Sequence, residues 1–366
     1  SQRAFPTETS REEIGPPSPV RPPQSIFCAQ DVAATLGAMR RHRASAKIQE
    51  QGCRALVELI KADKKRRTRV AATRAQPGAW RCGSCKFANE PEDKSCRICA
   101  MPALSGQPLA SEQLGGDAEH LPDPQTRSEA EQVIALGGVD AALDAMRAFP
   151  GNQRLVKAAC FALAQLVHED QQTVRQIASS GGIKDILSSM VAFANEVELQ
   201  TQCLGILASP VLGEDDVVRI DSVDFAHATI SALRQYRSSP RLLALGLLAL
   251  SNLALKDDRI PQLLVSEHRI HELILKGEKH DAVRGSAHVA TAALWTLVTL
   301  SRQVADGSQE DVRAALKESG AVHFAIACMS SFPTSQSVQR NADTLFERLG
   351  VEFDLDDGGQ HSCALQ

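Results

Sequence analysis

Residues 136–146 read Leu136-GGVDAALDA-Met146, and the same pattern returns as Ser179-SGGIKDILSS-Met190 and as Glu318-SGAVHFAIAC-Met329. In each segment a glycine (Gly137, Gly181 or Gly320) stands where one helix has to stop in a left-handed residue, a conformation glycine adopts without steric cost. Beyond the glycine the apolar residues recur at three and four, the helical period. Each segment therefore predicts the end of one helix, a turn and the start of the next. Met146 and Met190 are 44 residues apart, and Met190 to Met329 is 139, the length of about three more such units. Helical units repeating at this interval bury their faces against one another, so the expected class is all-α and the architecture a solenoid.

A second pattern follows each of these helices, as GCRALVELI at 52–60, ACFALAQLV at 159–167 and QCLGILASP at 202–210. Cys160 and Cys203 are 43 residues apart, but Cys53 and Cys160 are 107 apart, and so are Met39 and Met146. One unit has thus been lengthened by about 64 residues, and the excess falls between Ile60 and Glu129. About six units are expected, the first incomplete. The predicted layout is a Pro-rich disordered tail over 1–25, a partial repeat over 26–60, an insertion over 61–128, repeats over 129–350 and a tail over 351–366.

Inside the insertion lies WRCGSCKFANEPEDKSCRIC, from Trp80 to Cys99. Cys82 and Cys85 form one CxxC pair and Cys96 and Cys99 another, ten residues later. Two such turns aim four thiolates at one centre and close a tetrahedral structural site for one Zn2+ ion. A unit this small has almost no core and depends on its metal to fold. The predicted finger, over 78–102, is a zinc-stapled β-hairpin unit projecting from a loop between repeats.

The repeating units resemble armadillo repeats, with a short helix, the Gly-Gly turn seen at Gly137-Gly138 and Gly181-Gly182, a second helix and a long third one. The resemblance covers about 290 residues and implies an armadillo-like superhelical solenoid. Such a fold presents a concave groove, lined by the third helices, that holds an extended peptide. That family often places a Trp and an Asn four residues apart in the groove; here Asn252 and Trp295 are split between two units, and both are candidate groove residues. Large apolar residues on helices are mainly core, and packing is the competing reading for Trp295.

The finger resembles the Ran-binding-protein type. Trp80, Cys82, Cys85, Asn89, Cys96 and Cys99 all fall at that family's positions. The resemblance implies a docking surface made by Trp80, Phe87, Asn89 and Ile98. The short first CxxC, Phe87 and Ile98 fit the branch that binds ubiquitin or ubiquitinated protein, although Lys86 stands where a threonine is usual. Fingers of this type that grip single-stranded RNA carry basic residues after the Asn, whereas Glu90-Pro-Glu-Asp93 here repels phosphate. RNA held by the finger and the adjacent basic run Lys61–Arg74 is the alternative. The tetrad Lys64-Lys-Arg-Arg67 also reads as a nuclear-localisation run, with a solvated helix end followed by a basic linker as the plain reading.

The chain has 366 residues, 43% of them hydrophobic and only 4% aromatic, with a formal charge of −4; that balance calls for neither nucleic acid nor membrane. Six cysteines outside the quartet are scattered, which fits a reducing compartment and predicts an intracellular protein, cytoplasmic or nuclear. Cys53, Cys160 and Cys203 read as core, expected about 10 Å apart across packed helices and too distant to share an ion. No catalytic constellation, phosphate loop or nucleophile motif is present, so neither an enzyme nor a small-molecule substrate is expected. The predicted role is a scaffold or adaptor with a protein partner in the groove and a second partner on the finger.

Overall fold

The computed structural model describes residues 31–74, 80–81, 88–89, 107–108, 127–170, 172–210, 222–276, 285–302 and 309–351. Almost all of these are helical. The first unit contributes α1 (Val32–Arg41) and α2 (Ala46–Arg74), and the second α3 (Glu129–Ala135), α4 (Gly138–Ala148) and α5 (Gln153–Glu169). The third holds α6 (Thr173–Ser179), α7 (Gly182–Ala192) and α8 (Val197–Leu207), and the fourth α9 (Ser222–Gln235) and α10 (Pro240–Lys256). The fifth runs through α11 (Arg259–Gln262), a π-helical turn Leu263–Glu267, α12 (Ile270–Lys276) and α13 (Ala287–Leu300). The sixth is α14 (Gln309–Glu318), α15 (Ala321–Ser331) and α16 (Gln336–Leu349).

The long helices stack in file: α2 packs on α5, α5 on α8, α8 on α10, α10 on α13 and α13 on α16. One continuous apolar core runs through all six units, from Val32 to Leu349. This is the arrangement of a helical solenoid, in which each unit contacts mainly its neighbours.

The turn glycines behave as the repeat requires. Gly137, Gly181 and Gly320 have φ of 76°, 73° and 90° and open α4, α7 and α15. The second glycine answers a different demand: a Cβ on Gly182 would lie 2.7 Å from Leu143 Cδ2 and 2.9 Å from the Ile177 carbonyl oxygen. A second device recurs ten residues after the methionine. Gln49 Nε2 donates to the carbonyls of Met39 and His42 at 2.7 and 3.0 Å, Gln200 to Met190 and Phe193 at 2.7 and 3.2 Å, and Gln339 to Met329 and Phe332, both at 3.2 Å. A helix leaves its last carbonyls without intrahelical partners, and these amides satisfy them while fixing the angle at which the third helix departs.

The helix read as closing at Ile60 continues to Arg74. Residues 61–74 contain neither Gly nor Pro and are rich in Ala, Lys and Arg, all good helix formers. The extension is docked as well. Asp63, only 7% exposed, pairs with Arg67 at 2.8 Å and accepts from the Glu129 backbone N–H at 3.2 Å. Arg66 reaches Glu129, and Lys64 reaches Glu169 at 2.8 Å. The Lys64–Arg67 tetrad is therefore helical, with Lys64, Arg66 and Arg67 in ion pairs. Ser128 and Glu131 then form a reciprocal capping box that starts α3. α3 thus begins beside α2.

Candidate functional site: the face formed by the third helices

On each long helix a stripe at i, i+3, i+4 stays out of the core, and the stripes of neighbouring units lie side by side. In units one and two this stripe borders a cleft of about 510 Å³ between α2 and α5, lined by Arg54, Glu58, Lys61, Arg154, Lys157, Phe161 and Glu196. Phe161 supplies its aromatic surface, with Lys61 Nζ 4.7 Å from the ring centroid. The charges here are matched. Arg54 pairs with Glu50 at 2.9 Å, Lys61 with Glu58 at 3.3 Å, and Lys157 with both Glu196 and Glu198. The hydrogen bond to Glu198 holds the Lys157 ammonium above its ordinary pKa, against the opposing effect of burial.

Further along, the stripe becomes apolar. Leu245 and Leu248 of α10 and Trp295 of α13 are half-buried, resting on the core with one side open. Asn252, one turn beyond Leu248, donates its amide to the Ala208 carbonyl of the neighbouring unit at 2.8 Å. Asn341 repeats the device between the last two units, donating to the Thr291 carbonyl at 3.2 Å. Asn252 and Trp295 thus sit on adjacent third helices; the Asn252 amide nitrogen ties backbones together, while Trp295 combines packing with exposure. Beneath them, Ser251 and Thr296 are fully buried and joined at 3.0 Å, with the Leu247 carbonyl accepting from the same pair.

The cysteines in register are core, as expected, but their spacing is not. Cys160 and Cys203 approach to 3.7 Å between sulfurs, where a separation of about 10 Å was expected. That expectation took the distance between helix axes; both side chains project from α5 and α8 into the same interface and meet there. Burial, with a smaller contribution from neighbouring Cys160, pushes the Cys53 thiol up to about 12. The hydrogen bond to Cys160, followed by burial, pushes Cys203 up as well. With raised pKa values, Cys53 and Cys203 are protonated, inert core groups at neutral pH.

The proposed zinc ligands Cys82, Cys85, Cys96 and Cys99, together with Phe87 and Ile98, lie outside the described residues. Trp80 and Asn89 are described as backbone partners: Trp80–Arg81 pairs antiparallel with Ala88–Asn89, and Gln107–Pro108 pairs on the other side of Trp80–Arg81. Among the described residues no group of three or more His, Cys, Asp or Glu is placed to hold a metal ion. No described helix is long and apolar enough to cross a membrane.

Sequence reasoning missed Phe161, Asn341 and a cluster of arginines at 302, 313 and 348. Phe161 sits in the ACFALAQLV pattern and could have been found by asking which residue of that stripe faces away from the cysteine. The arginines carry no local pattern, because they come from three separate elements. No family model, curated protein or solved structure matches the chain.

Proposed function

We propose that this protein is an interaction scaffold: an armadillo-like solenoid whose third-helix face receives an extended segment of a protein partner, with a zinc finger in the insertion after α2 docking a second partner, ubiquitin or a ubiquitinated protein. The observation that carries this reading is the row of half-buried Leu245, Leu248 and Trp295 along stacked third helices. A side chain whose packing is already complete has little to offer a partner. These keep apolar surface open between anchors that are held rigid from below. Rigid aromatic and aliphatic anchors supply most of the binding energy at interfaces, at small entropic cost.

The donor set of the finger fits zinc: four cysteines in two CxxC pairs, with Trp80–Arg81 and Ala88–Asn89 paired on either side of the first. Cys82, Cys85, Cys96 and Cys99 would hold the ion, which supplies a crosslink in place of a core. Phe87 and Ile98 then offer a small apolar patch. Because the insertion begins at α2 and ends at α3, two modest sites on one chain reinforce each other through effective concentration. The basic run contributes little to RNA binding on this reading, since Lys64, Arg66 and Arg67 are occupied by carboxylates.

The test is an NMR titration of isotope-labelled ubiquitin with the full zinc-loaded chain. Shifts at ubiquitin's apolar surface are expected, and Phe87→Ala or chelation of zinc removes them while the helical circular dichroism stays. Silence at millimolar ubiquitin sinks the ubiquitin assignment. Shifts that survive Phe87→Ala sink the assigned surface.

A further inference from the structure

Three arginines meet at the carboxyl end of α13. Arg302 follows that helix directly, Arg313 comes from α14 and Arg348 from the last turn of α16. Arg348 Nη1 donates to the Val298 carbonyl at 3.1 Å, and Arg313 Nε donates to the Ser301 carbonyl at 3.0 Å. Arg302 Nη2 pairs with Asp258 at the end of the preceding third helix. All three side chains belong to half-buried residues, and Arg302 Nε is buried without a hydrogen-bond partner.

Part of this has a structural purpose. The last carbonyls of a helix lack intrahelical donors, and guanidinium groups satisfy them in accord with the helix dipole. Among the described residues, capping engages one donor each on Arg313 and Arg348, whereas a guanidinium has five. Among the described residues the charge count also fails to close. Asp258 is the one carboxylate in an ion pair with the trio among the described residues, which leaves two positive charges against about half a negative charge from the helix end. Half-buried like charges repel in poorly screened surroundings. Burial, then Arg313 and Arg302, hold the Arg348 guanidinium below its ordinary pKa. A cluster of this kind is stabilised by an anion.

The geometry points to an oxyanion site at this end of the groove, one that takes the phosphate monoester of a phosphorylated side chain on the protein partner. A phosphomonoester carries about −1.5 to −2 at neutral pH, which matches the residual charge, and its three oxygens accept from several guanidinium forks at once. The site adjoins the apolar row. Thr291 bonds to Asn341 and Val298 to Arg348 with the same offset between helices, so Trp295 lies between these two rungs, two helical turns before Arg302. A segment crossing Trp295 brings its next residues to the arginines. The choice of a partner's side chain as the source of the phosphate rests on the groove reading above; the oxyanion site itself does not.

Calorimetric titration of the full chain with inorganic phosphate and with N-acetyl-phosphothreonine amide, against sodium chloride at matched ionic strength, tests both parts. Both probes are expected to bind, and Arg302→Gln and Arg348→Gln each to weaken binding about tenfold, the loss expected for one charged hydrogen-bonding group. Arg241→Gln, at the far end of α10, is expected to leave both affinities unchanged. Arg348→Lys keeps the charge and loses the fork, so a partial loss in a normally folded variant separates recognition from misfolding. No binding of either probe overturns the site, as does affinity that persists in both Gln variants. Binding of inorganic phosphate with exclusion of the phosphothreonine derivative overturns the partner side chain as the source. Binding of both probes upholds the oxyanion site whatever the outcome for the groove reading, which this titration does not touch.

Discussion

In units one to three the charged side chains on the third-helix face neutralise each other: Lys61 with Glu58, Lys157 with Glu196 and Glu198, Lys64 with Glu169. In units four to six the face is Leu245, Leu248 and Trp295, ending in three arginines with a single paired carboxylate among the described residues. The stacking of helices is the same in both halves, so the difference lies in what the stripe carries. Exposed matched pairs contribute little stability and leave little field to attract a partner. Half-buried apolar surface beside unmatched positive charge does both jobs of recognition, burial and steering. On the scaffold reading proposed above, the second half is the stronger place for a specific ligand, and the first half supplies the cleft at Phe161.

Removing a core side chain should affect the two halves equally. Leu163 in α5 and Leu250 in α10 are both 0% exposed, and Leu→Ala at either should cost about 3 kcal/mol in urea unfolding. Because such arrays couple mainly between neighbours, hydrogen exchange should speed up around units two and three for Leu163→Ala, and around units four and five for Leu250→Ala. Acceleration spread evenly along the chain for either variant would erase the division into halves.

Polar links should separate the halves. Thr296→Val removes a hydroxyl buried between α10 and α13, and should cost about 1 kcal/mol. Lys157→Met breaks two exposed pairs in the first half, and should change stability by about 0.5 kcal/mol or less. Equal costs in matched unfolding experiments would mean that the surface pairs are as structural as the buried hydroxyls.

The smallest effect concerns acid. The neighbouring His168 ring, reinforced by Lys64 and opposed by burial, lowers the Glu169 carboxyl from 4.5 to about 2. A depressed carboxyl contributes stability that is fully present above its unfolded pKa and is lost as pH falls from about 4.5 towards about 2. Glu169→Gln should flatten the melting temperature across that window and leave its neutral-pH dependence alone. An unchanged acid limb would assign the loss to other carboxylates.

Legibility in the sequence followed the range of the forces involved. The glycine turns at 137, 181 and 320 could be read because φ at a helix end is a local demand. The repeat interval was read from the spacing of Met and Cys residues, and the capping box at Ser128 opens α3. The extension of α2 to Arg74 was missed, because the basic run looked like solvated linker until Asp63 and Glu129 were found beside it. The Gln that clamps the second helix ten residues after its methionine was visible at 49, 200 and 339 and went unread.

By itself the sequence determined that this chain is a stack of helical units and where each turns. These depend on backbone conformation and on spacing along a single segment. Only the tertiary structure decided that Cys160 and Cys203 touch, that the Asn252 amide binds the Ala208 carbonyl, and that Arg302, Arg313 and Arg348 converge on one helix end. The register between neighbouring helices is set by how their side chains interdigitate, and it brings together residues that share no local pattern.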